Sequence, residues 1–563
     1  VSGRRRVVLA AVLATLVAAG VRVSLLAGGR DLLPDGVVDI EIARDLGAGR
    51  WREAVRRRFH PLDGALIALT ARALGREPDE TCGLVVALVA GSLVPFLVAL
   101  TAARLMTVEP ELPPPLAGEG RGGGQPLAAP TTPTPALPHF VGEGDGPLSP
   151  SSAALAAGLL AACHPYLARA SATVYAYPLA HAALALALLA AVHAVTGGLG
   201  WCLVAGVACG LGYLARPDGL VLLAGVTAGL ALAGSRARPR TGHVLAPALV
   251  LLGFAAIASP YLLALHDVSG EWRLTLKKDE GHLVGRVDPT VHERTEPAAN
   301  DVGALIDRVE RESRSSPASP PTPAAGDSLV YALRKTADAI HPELLLLAAL
   351  GLFATRRLRL AHAPALATLA FFVLAHTLLK KNEGYLSRAH AAGEAALAAT
   401  WAGLGAATLF QERKRAALLL VLLVAVLLPK TLEDRDKVKN DAEREAAGWI
   451  HRHAPPGREL VVCGRDAVPL AFLAGARAIG LPPGDAVTAV AAARALGASF
   501  LAVYVRTHAS AVVKEDPLAP LLSELAHGGL GVPEAFSGER PNPEGGSIRY
   551  TWLVYVIPES PRK

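Results

Sequence analysis

The polar chemistry of this 563-residue chain is concentrated in a stretch near its start. Asp35, Asp39, Glu41, Arg44, Asp45 and Arg50 come close together there, followed by Phe59-His60-Pro61-Leu62-Asp63. Asp35 stands just before an amphipathic helix whose apolar positions are Val38, Ile42, Ala43 and Leu46. A carboxylate at that point can cap the helix or take a proton as a general base; both uses ask for the same residue type. Asp39, Glu41 and Asp45 read as the solvated face of the helix. His60, before Pro61, suits a structural role as well as an anion contact. Candidate anion-holding cations are Arg216, Lys277, Lys278, Lys380, Lys381 and Arg388; each is also a residue type that anchors a helix end at a membrane interface. His390 and Glu394 fall four apart on one helical face and read as a hydrogen-bonded pair rather than a metal site.

The elements that must position these residues are membrane spans. The chain is 52% hydrophobic and 18% charged, with a mean hydropathy of +0.37, whereas a soluble domain carries about 25% charged residues. Its apolar residues gather into blocks long enough to cross a hydrocarbon core of about 30 Å. Ala, Leu, Val and Gly dominate, which suits close helix packing in lipid. Strand-like alternation over about ten residues, the mark of a membrane barrel, is missing. Spans are expected at 6–28, 81–105, 152–169, 177–195, 200–215, 218–235, 243–265, 343–357, 360–379, 390–410 and 415–430, about eleven in all. The two around Arg216-Pro217-Asp218-Gly219 are short enough to be one broken helix.

Arginine clusters at 4–6, 236–240, 356–359 and 413–415 lie at block ends, the pattern of cytoplasmic anchors. They explain the net charge of +6 without nucleic acid. Counting from a cytoplasmic N-terminus puts all four clusters inside, and puts 29–80, 266–342 and the chain after about 431 outside. The first apolar run continues through Leu26 without a small-residue cleavage site, so an uncleaved span is expected. Four of the five cysteines fall in predicted spans and one, Cys463, in the terminal region, with no CxxC or His/Cys cluster; neither a disulfide framework nor zinc is expected.

Residues 107–151 are rich in Pro, Gly, Ser and Thr and read as a disordered cytoplasmic insert, with wording like that of a translated mobile intergenic repeat. A second Ser/Pro-rich linker covers 312–327. After residue 430 the pattern becomes that of a small soluble α/β domain, with helices at 441–453, 468–476 and 486–496 and strands at 459–463, 500–505 and 548–557. That domain lacks GxGxxG, a P-loop and GxSxG, so no chemistry is assigned to it.

The first loop resembles glycosyltransferase family 39 and related polytopic sugar transferases of the C-type glycosyltransferase superfamily. Those proteins carry an Asp soon after the first span, an Ala-x-x-Leu-x-x-Gly helix and a helix led by His-Pro; Asp35, Ala43, Leu46, Gly49, His60 and Pro61 match that order. Gly210-Leu211-Gly212-Tyr213-Leu214-Ala215-Arg216-Pro217-Asp218-Gly219 is similar to the family's Gly-Leu-Ala-x-Leu-x-Arg-Pro-Glu-Gly segment. Ser259-Pro260-Tyr261-Leu262 with Gly270-Glu271-Trp272, Tyr385-Leu386-Ser387-Arg388, and Trp449-Ile450 with Ala454-Pro455-Pro456-Gly457 resemble later landmarks. Two positions depart from the pattern: Asp63 replaces the tyrosine often found after His-Pro-Leu, and Arg388-Ala389-His390 replaces Arg-Tyr-Leu.

The resemblance implies a polytopic α-helical membrane protein of the C-type glycosyltransferase fold, with residues 1–430 as the transferase module and 431–563 as a periplasmic α/β domain. It implies hexosyl or pentosyl transfer from a polyprenyl-phosphate-sugar donor to a lipid, glycan or protein acceptor on the periplasmic face of a bacterial inner membrane. Asp35 would be the catalytic base, and His60, Lys277, Lys278, Arg388 and Arg216 would hold the donor phosphate or substrate, with no cofactor or metal required. Two other readings rest on the residues alone. A lipid or sugar transporter is disfavoured by the scarcity of ionisable groups in the spans; a non-catalytic membrane scaffold with an outer binding domain gains weight from the two departures.

Overall fold

The structure, a computed structural model, describes residues 3–107, 149–276 and 325–557, apart from 29–30, 58, 197, 238–239, 357–358, 384–385, 387–389, 410–412, 433–436, 458, 465–466, 480–489, 491–492, 495–496, 509–529, 531–532 and 542–546. Lys277, Lys278 and Arg388, with most of the 107–151 insert, the 312–327 linker and the expected 486–496 helix, lie outside the described residues.

The first part of the chain is helical: α1 (Gly3–Gly28), α2 (Pro34–Gly47), α3 (Trp51–Arg56), α4 (Pro61–Ala73), α5 (Glu80–Met106), α6 (Pro150–Ala162), α7 (Pro165–Ala170), α8 (Tyr177–Thr196), α9 (Gly200–Ala215), α10 (Gly219–Ala237) and α11 (Arg240–Ser269). Helices Ala325–Ile340, Pro342–Ala354, Arg359–Glu383, Glu394–Leu409, Arg413–Leu432 and Lys437–Arg452 follow. Five helices are long and apolar enough to cross a membrane: Gly3–Ala27, Glu80–Met106, Tyr177–Thr196, Val244–Ser269 and Leu360–Asn382. Gly326–Ile340 and Pro342–Ala354 qualify together, bent by 95°. All eleven expected spans fall on helices; among the described residues Pro150–Ala162, Gly200–Ala215, Gly219–Ala233 and Leu420–Leu432 are apolar but shorter.

The core of the helical part is built mostly from alanine. Ala157, Leu160 and Ala161 of α6 pack in one cluster with Ala395, Ala398, Ala399 and Ala402 of Glu394–Leu409. Side chains this small let helix backbones approach closely, which is where packing attraction is won when the surroundings are as apolar as the protein.

Two expected spans are broken at their polar ends. The 152–169 span splits at Cys163-His164, because Pro165 has no N–H to give and confines the residue before it. His164 is extended there, with its ring accepting from the Leu167 N–H at 3.5 Å. The 390–410 span opens as a 3-10 turn, His390–Gly393, before the α-helix starts at Glu394. His390 and Glu394 therefore do not share one helical face; Glu394 turns to His376 of Arg359–Glu383 at 3.2 Å.

The expectation of a solvated α2 face is corrected. Asp39 and Asp45 are buried, because α2 is covered rather than open. Val37, Ile40 and Ala43 share a cluster with Ile67 and Ala71 of α4, against which Val468, Phe472 and Leu473 of the terminal region also pack. Asp45 accepts from Arg57 at 2.6 Å and Arg50 at 2.7 Å, and Glu41 pairs with Arg57.

The C-terminal residues form a five-stranded sheet in the order β4-β3-β5-β7-β6, from β3 (Val461–Cys463), β4 (Arg477–Ile479), β5 (Phe500–His508), β6 (Glu534–Pro541) and β7 (Ser547–Val556). β3 runs parallel to β4 and β5, while β7 pairs antiparallel with β5 and β6. Strands β4 and β6 were not expected; three residues are too few to show alternation, and β6 carries Gly and Pro. The sheet rests on Lys437–Arg452 through Ala446, Ile450, Phe500 and Trp552. Arg444 of that helix pairs with Glu80 at 2.5 Å, and Arg44 lies 5.1 Å from the Phe472 ring centroid. The terminal region therefore packs on the loop that carries Asp35.

Candidate active site

Two short strands far apart in sequence build the site. β1 (Asp31–Leu32) pairs in parallel with β2 (Thr173–Val174), Asp31 opposite Thr173 and Leu32 opposite Val174. This latch delivers the start of α2 to the residues after β2. It requires glycine at position 36, since a Cβ there would fall 2.2 Å from the Val174 carbonyl oxygen. Helix α2 begins at Pro34, whose fixed φ suits a first turn. Leu33 is the N-cap and makes no side-chain cap, so Asp35 lies inside the first turn rather than before it, half-buried and with no cap to supply.

Beyond β2 stand Tyr175 and Tyr177, their rings 4.4 Å apart at 62°. Burial, chiefly, pushes the Tyr175 phenol up from its usual value; the neighbouring Tyr177 and Asp35 add to this and Arg216 opposes it. Arg216 ends α9 in extended backbone, and Pro217 forbids helix at that point. The turn that follows is tight: a Cβ on Gly219 would meet the Tyr213 nitrogen at 2.0 Å. Arg216 is thereby buried, its guanidinium carbon 4.1 Å from the Tyr177 ring centroid and 5.7 Å from that of Tyr175. Its Nε donates to Asp218 Oδ2 at 3.0 Å.

Beside this stack opens a small cleft, lined by Tyr177, His181, Asp218, Phe372 and His390 among others. His390 meets Tyr177 edge-on at 6.4 Å, and His181 stacks on it at 5.8 Å. Two turns below the end of Arg359–Glu383, His376 sits 3.2 Å from Glu394, both buried. The arrangement offers a half-exposed carboxylate, an aromatic wall, a cation over that wall, and polar groups facing a cleft.

Of the residues singled out in the sequence, Arg216 lies over the Tyr175–Tyr177 pair, and the charge of Asp35 reaches Tyr175. His60 is not brought to the cleft. It is the N-cap residue of α4 and is buried between Tyr213 at 5.0 Å and Tyr261 at 5.2 Å. Asp63, the departure from the family pattern, is buried, and burial pushes its carboxyl up to about 6. Sequence reasoning passed over Tyr175, Tyr177, His181 and His376. Their one signal was a Tyr-Ala-Tyr-Pro run joining two apolar blocks. Among the described residues no group of three or more His, Cys, Asp or Glu is set to hold a metal ion.

No family model and no curated protein matches the sequence. Among solved structures, the chain is similar to the Archaeoglobus fulgidus oligosaccharyltransferase in the apo form, with a TM-score of 0.53 and 13% identity, covering 97% of this chain and 74% of that one. The same oligosaccharyltransferase tethered to an acceptor peptide containing the NVT sequon gives a TM-score of 0.51 at 14% identity, over 98% and 74%. ArnT from Cupriavidus metallidurans bound to undecaprenyl phosphate gives 0.52 at 14% identity, over 98% of this chain and 99% of that one. Identity at this level speaks to the fold and not to the reaction. The chain therefore shares the helical fold of these structures, and its described residues include helices long and apolar enough to cross a membrane.

Proposed function

We propose that this protein is a membrane glycosyltransferase that moves a sugar from a polyprenyl-phosphate carrier to an acceptor, with Asp35 as general base. The observation that carries the reading is the β1–β2 latch, which brings α2 with its half-exposed Asp35 to the segment of Tyr175 and Tyr177, over which Arg216 lies beside a cleft. ArnT, bound to undecaprenyl phosphate in its crystal structure, supports a lipid-phosphate donor. The oligosaccharyltransferase, tethered to an acceptor peptide, supports an acceptor that comes to the same fold.

The chemistry is a single displacement. The acceptor oxygen attacks the anomeric carbon and loses its proton to Asp35, while the bond from that carbon to the carrier phosphate breaks. Negative charge grows on the departing phosphate and needs cations that are already in position. Arg216 serves there, preorganised by Tyr177 and Asp218; Lys277, Lys278 and Arg388 are the further candidates, and His60 shapes the wall behind α4. The sugar transferred is a hexose or pentose. The acceptor is a lipid, glycan or protein at the periplasmic face of a bacterial inner membrane, and residues 431–563 form a periplasmic domain beside it.

Asp35→Asn is expected to abolish transfer from a polyprenyl-phosphate sugar in membranes while leaving expression and insertion intact; full activity in that variant would remove Asp35 from its role. A transporter is the second reading. The buried His376–Glu394 pair favours it, because ionisable groups inside a helical bundle are typical of ion and substrate routes. Uptake into vesicles by a protein that transfers no sugar would decide for it.

A further inference from the structure

Helix α1 carries a cation inside a membrane span. Arg22 is fully buried, and its hydrogen bonds run to backbone carbonyls. Nη1 donates to Ala18 at 3.1 Å and to Ala162 at 3.4 Å, and Nη2 donates to Leu167 at 3.3 Å. A guanidinium taken out of water is costly, so its place asks for more than packing.

The two distant carbonyls stand on either side of the break between α6 and α7. Ala162 is the last residue of α6 and Leu167 belongs to α7. Carbonyls that end a helix lack partners within it, and a cation there also meets the negative end of the helix dipole. The other side of the break is tied separately. Thr431, at the end of Arg413–Leu432, donates to the Cys163 carbonyl at 2.6 Å, and Arg169 of α7 donates back to the carbonyls of Lys430 and Thr431.

Both strands of the latch leave from the elements that Arg22 joins: α1 runs on into β1, and α7 into β2. Ser171 Oγ donates to the same Leu167 carbonyl at 2.8 Å, and the Thr173 hydroxyl donates to the Ala170 carbonyl at 3.0 Å. The carbonyl that Arg22 holds is thus also the one that steadies the turn into β2. Helix α5 closes over the group, since a Cβ on Gly91 would lie 1.9 Å from Ser171 Oγ and 3.1 Å from Arg22 Nε.

We propose that Arg22 is a positioning residue for the site: its guanidinium clasps α7 to α1, fixes how β1 and β2 meet, and so sets where Asp35 stands relative to the Tyr175–Tyr177 segment. This rests on the reading of Asp35 as the reactive carboxylate. A planar fork holds carbonyls of two elements in one fixed geometry, which an ammonium on a flexible stem does not. Burial of the cation offsets much of what its hydrogen bonds return, so the clasp contributes geometry more than overall stability.

The clasp is testable without sugar transfer. All five cysteines are buried, so in full-length Asp35→Cys protein in lipid nanodiscs a water-soluble maleimide reports on the half-exposed position 35. Adding Arg22→Met should raise the labelling rate several-fold. With Asp35 in place, Arg22→Met should speed amide hydrogen exchange over 31–36 and 171–176 several-fold, with 394–409 unchanged and the thermal midpoint close to that of the parent. Arg22→Lys, which keeps the charge, should shift labelling and exchange the same way by less. Gly91→Ala displaces Ser171 without any change of charge and should reproduce the loosened latch. Ser24→Ala, exposed at the same end of α1, should behave as the parent.

Labelling and latch exchange that match the parent in both Arg22 variants overturn the proposal. So does exchange that quickens across the whole chain with a fallen midpoint, the mark of a merely structural cation. With donor and acceptor supplied in membranes, Arg22→Met should lose transfer by about tenfold or more, because a small displacement of a reacting group is enough for that; unchanged transfer with a loosened latch also counts against the role. An active Asp35→Asn variant in which Arg22 still governs exchange at 31–36 and 171–176 would reject Asp35 as base and leave the clasp standing.

Discussion

The Arg216 guanidinium lies over the Tyr177 ring, its carbon 4.1 Å from the ring centroid, with its Nε donating to Asp218 at 3.0 Å. A planar cation held by both a ring face and a carboxylate cannot be copied by lysine, which offers a point charge on a flexible stem. Arg216→Lys is therefore expected to cut sugar transfer by about tenfold or more, at a stability cost of roughly 1–2 kcal/mol from the lost stacking. Transfer assays in membranes, alongside thermal unfolding in detergent, check both parts; activity within twofold of the parent would remove Arg216 from the site.

The latch can be tested apart from any charge. Gly36→Ala drives a methyl into the Val174 carbonyl, at 2.2 Å, and nothing flexible is there to yield. Overpacking of this kind costs about 1–3 kcal/mol, and it should separate Asp35 from Tyr175. Transfer should fall steeply in Gly36→Ala and hardly change in Gly20→Ala, where a Cβ meets nothing within 4 Å.

Glu394 is buried 3.2 Å from His376. His376→Ala strands that carboxylate, and breaking one side of a buried pair costs about 3–5 kcal/mol. The double change His376→Ala with Glu394→Ala should recover part of the loss. Thermal unfolding of the two variants in the same detergent gives the answer, and equal midpoints would mean that the pair is not coupled.

At Asp45 burial raises the carboxyl's pKa, but the hydrogen bonds and charges of Arg57 and Arg50 outweigh it and hold the group below the usual carboxylate range. A depressed value adds stability that is present above the unfolded value near 3.8 and is lost as pH falls through the folded one. Acidification below about pH 4 should therefore loosen α2 from α3. Asp45→Asn should be less stable than the parent at pH 7 and should show less of this acid loss, as read by unfolding midpoints at pH 3.5 and 7.

Local signals in the sequence were enough to place most helices. Apolar blocks announced α1, α5, α8 and α11, and Pro61 and Arg216-Pro217 marked helix boundaries, because the missing N–H and fixed φ of proline act over a few residues wherever they occur. The Tyr-, Trp- and Val-rich run at 548–557 announced β7 in the same way. His164-Pro165 carried an equally local signal, and the expected span ran through it only because alanine and leucine continue on both sides.

What the sequence by itself determined was a helical membrane protein, the loop that concentrates its polar groups, and the candidacy of Asp35 and Arg216. Those are properties of composition, periodicity and short motifs. Tertiary structure alone decided that β1 pairs with β2, that Arg216 lies over Tyr177, and that Glu394 meets His376. A charged residue on an amphipathic helix reads as solvated until the element that covers it is known, and α2 is covered by α4 and by a helix more than four hundred residues further along. The close packing of alanine-rich helices depends on backbone shape, so little in the side-chain pattern of one helix names its partner.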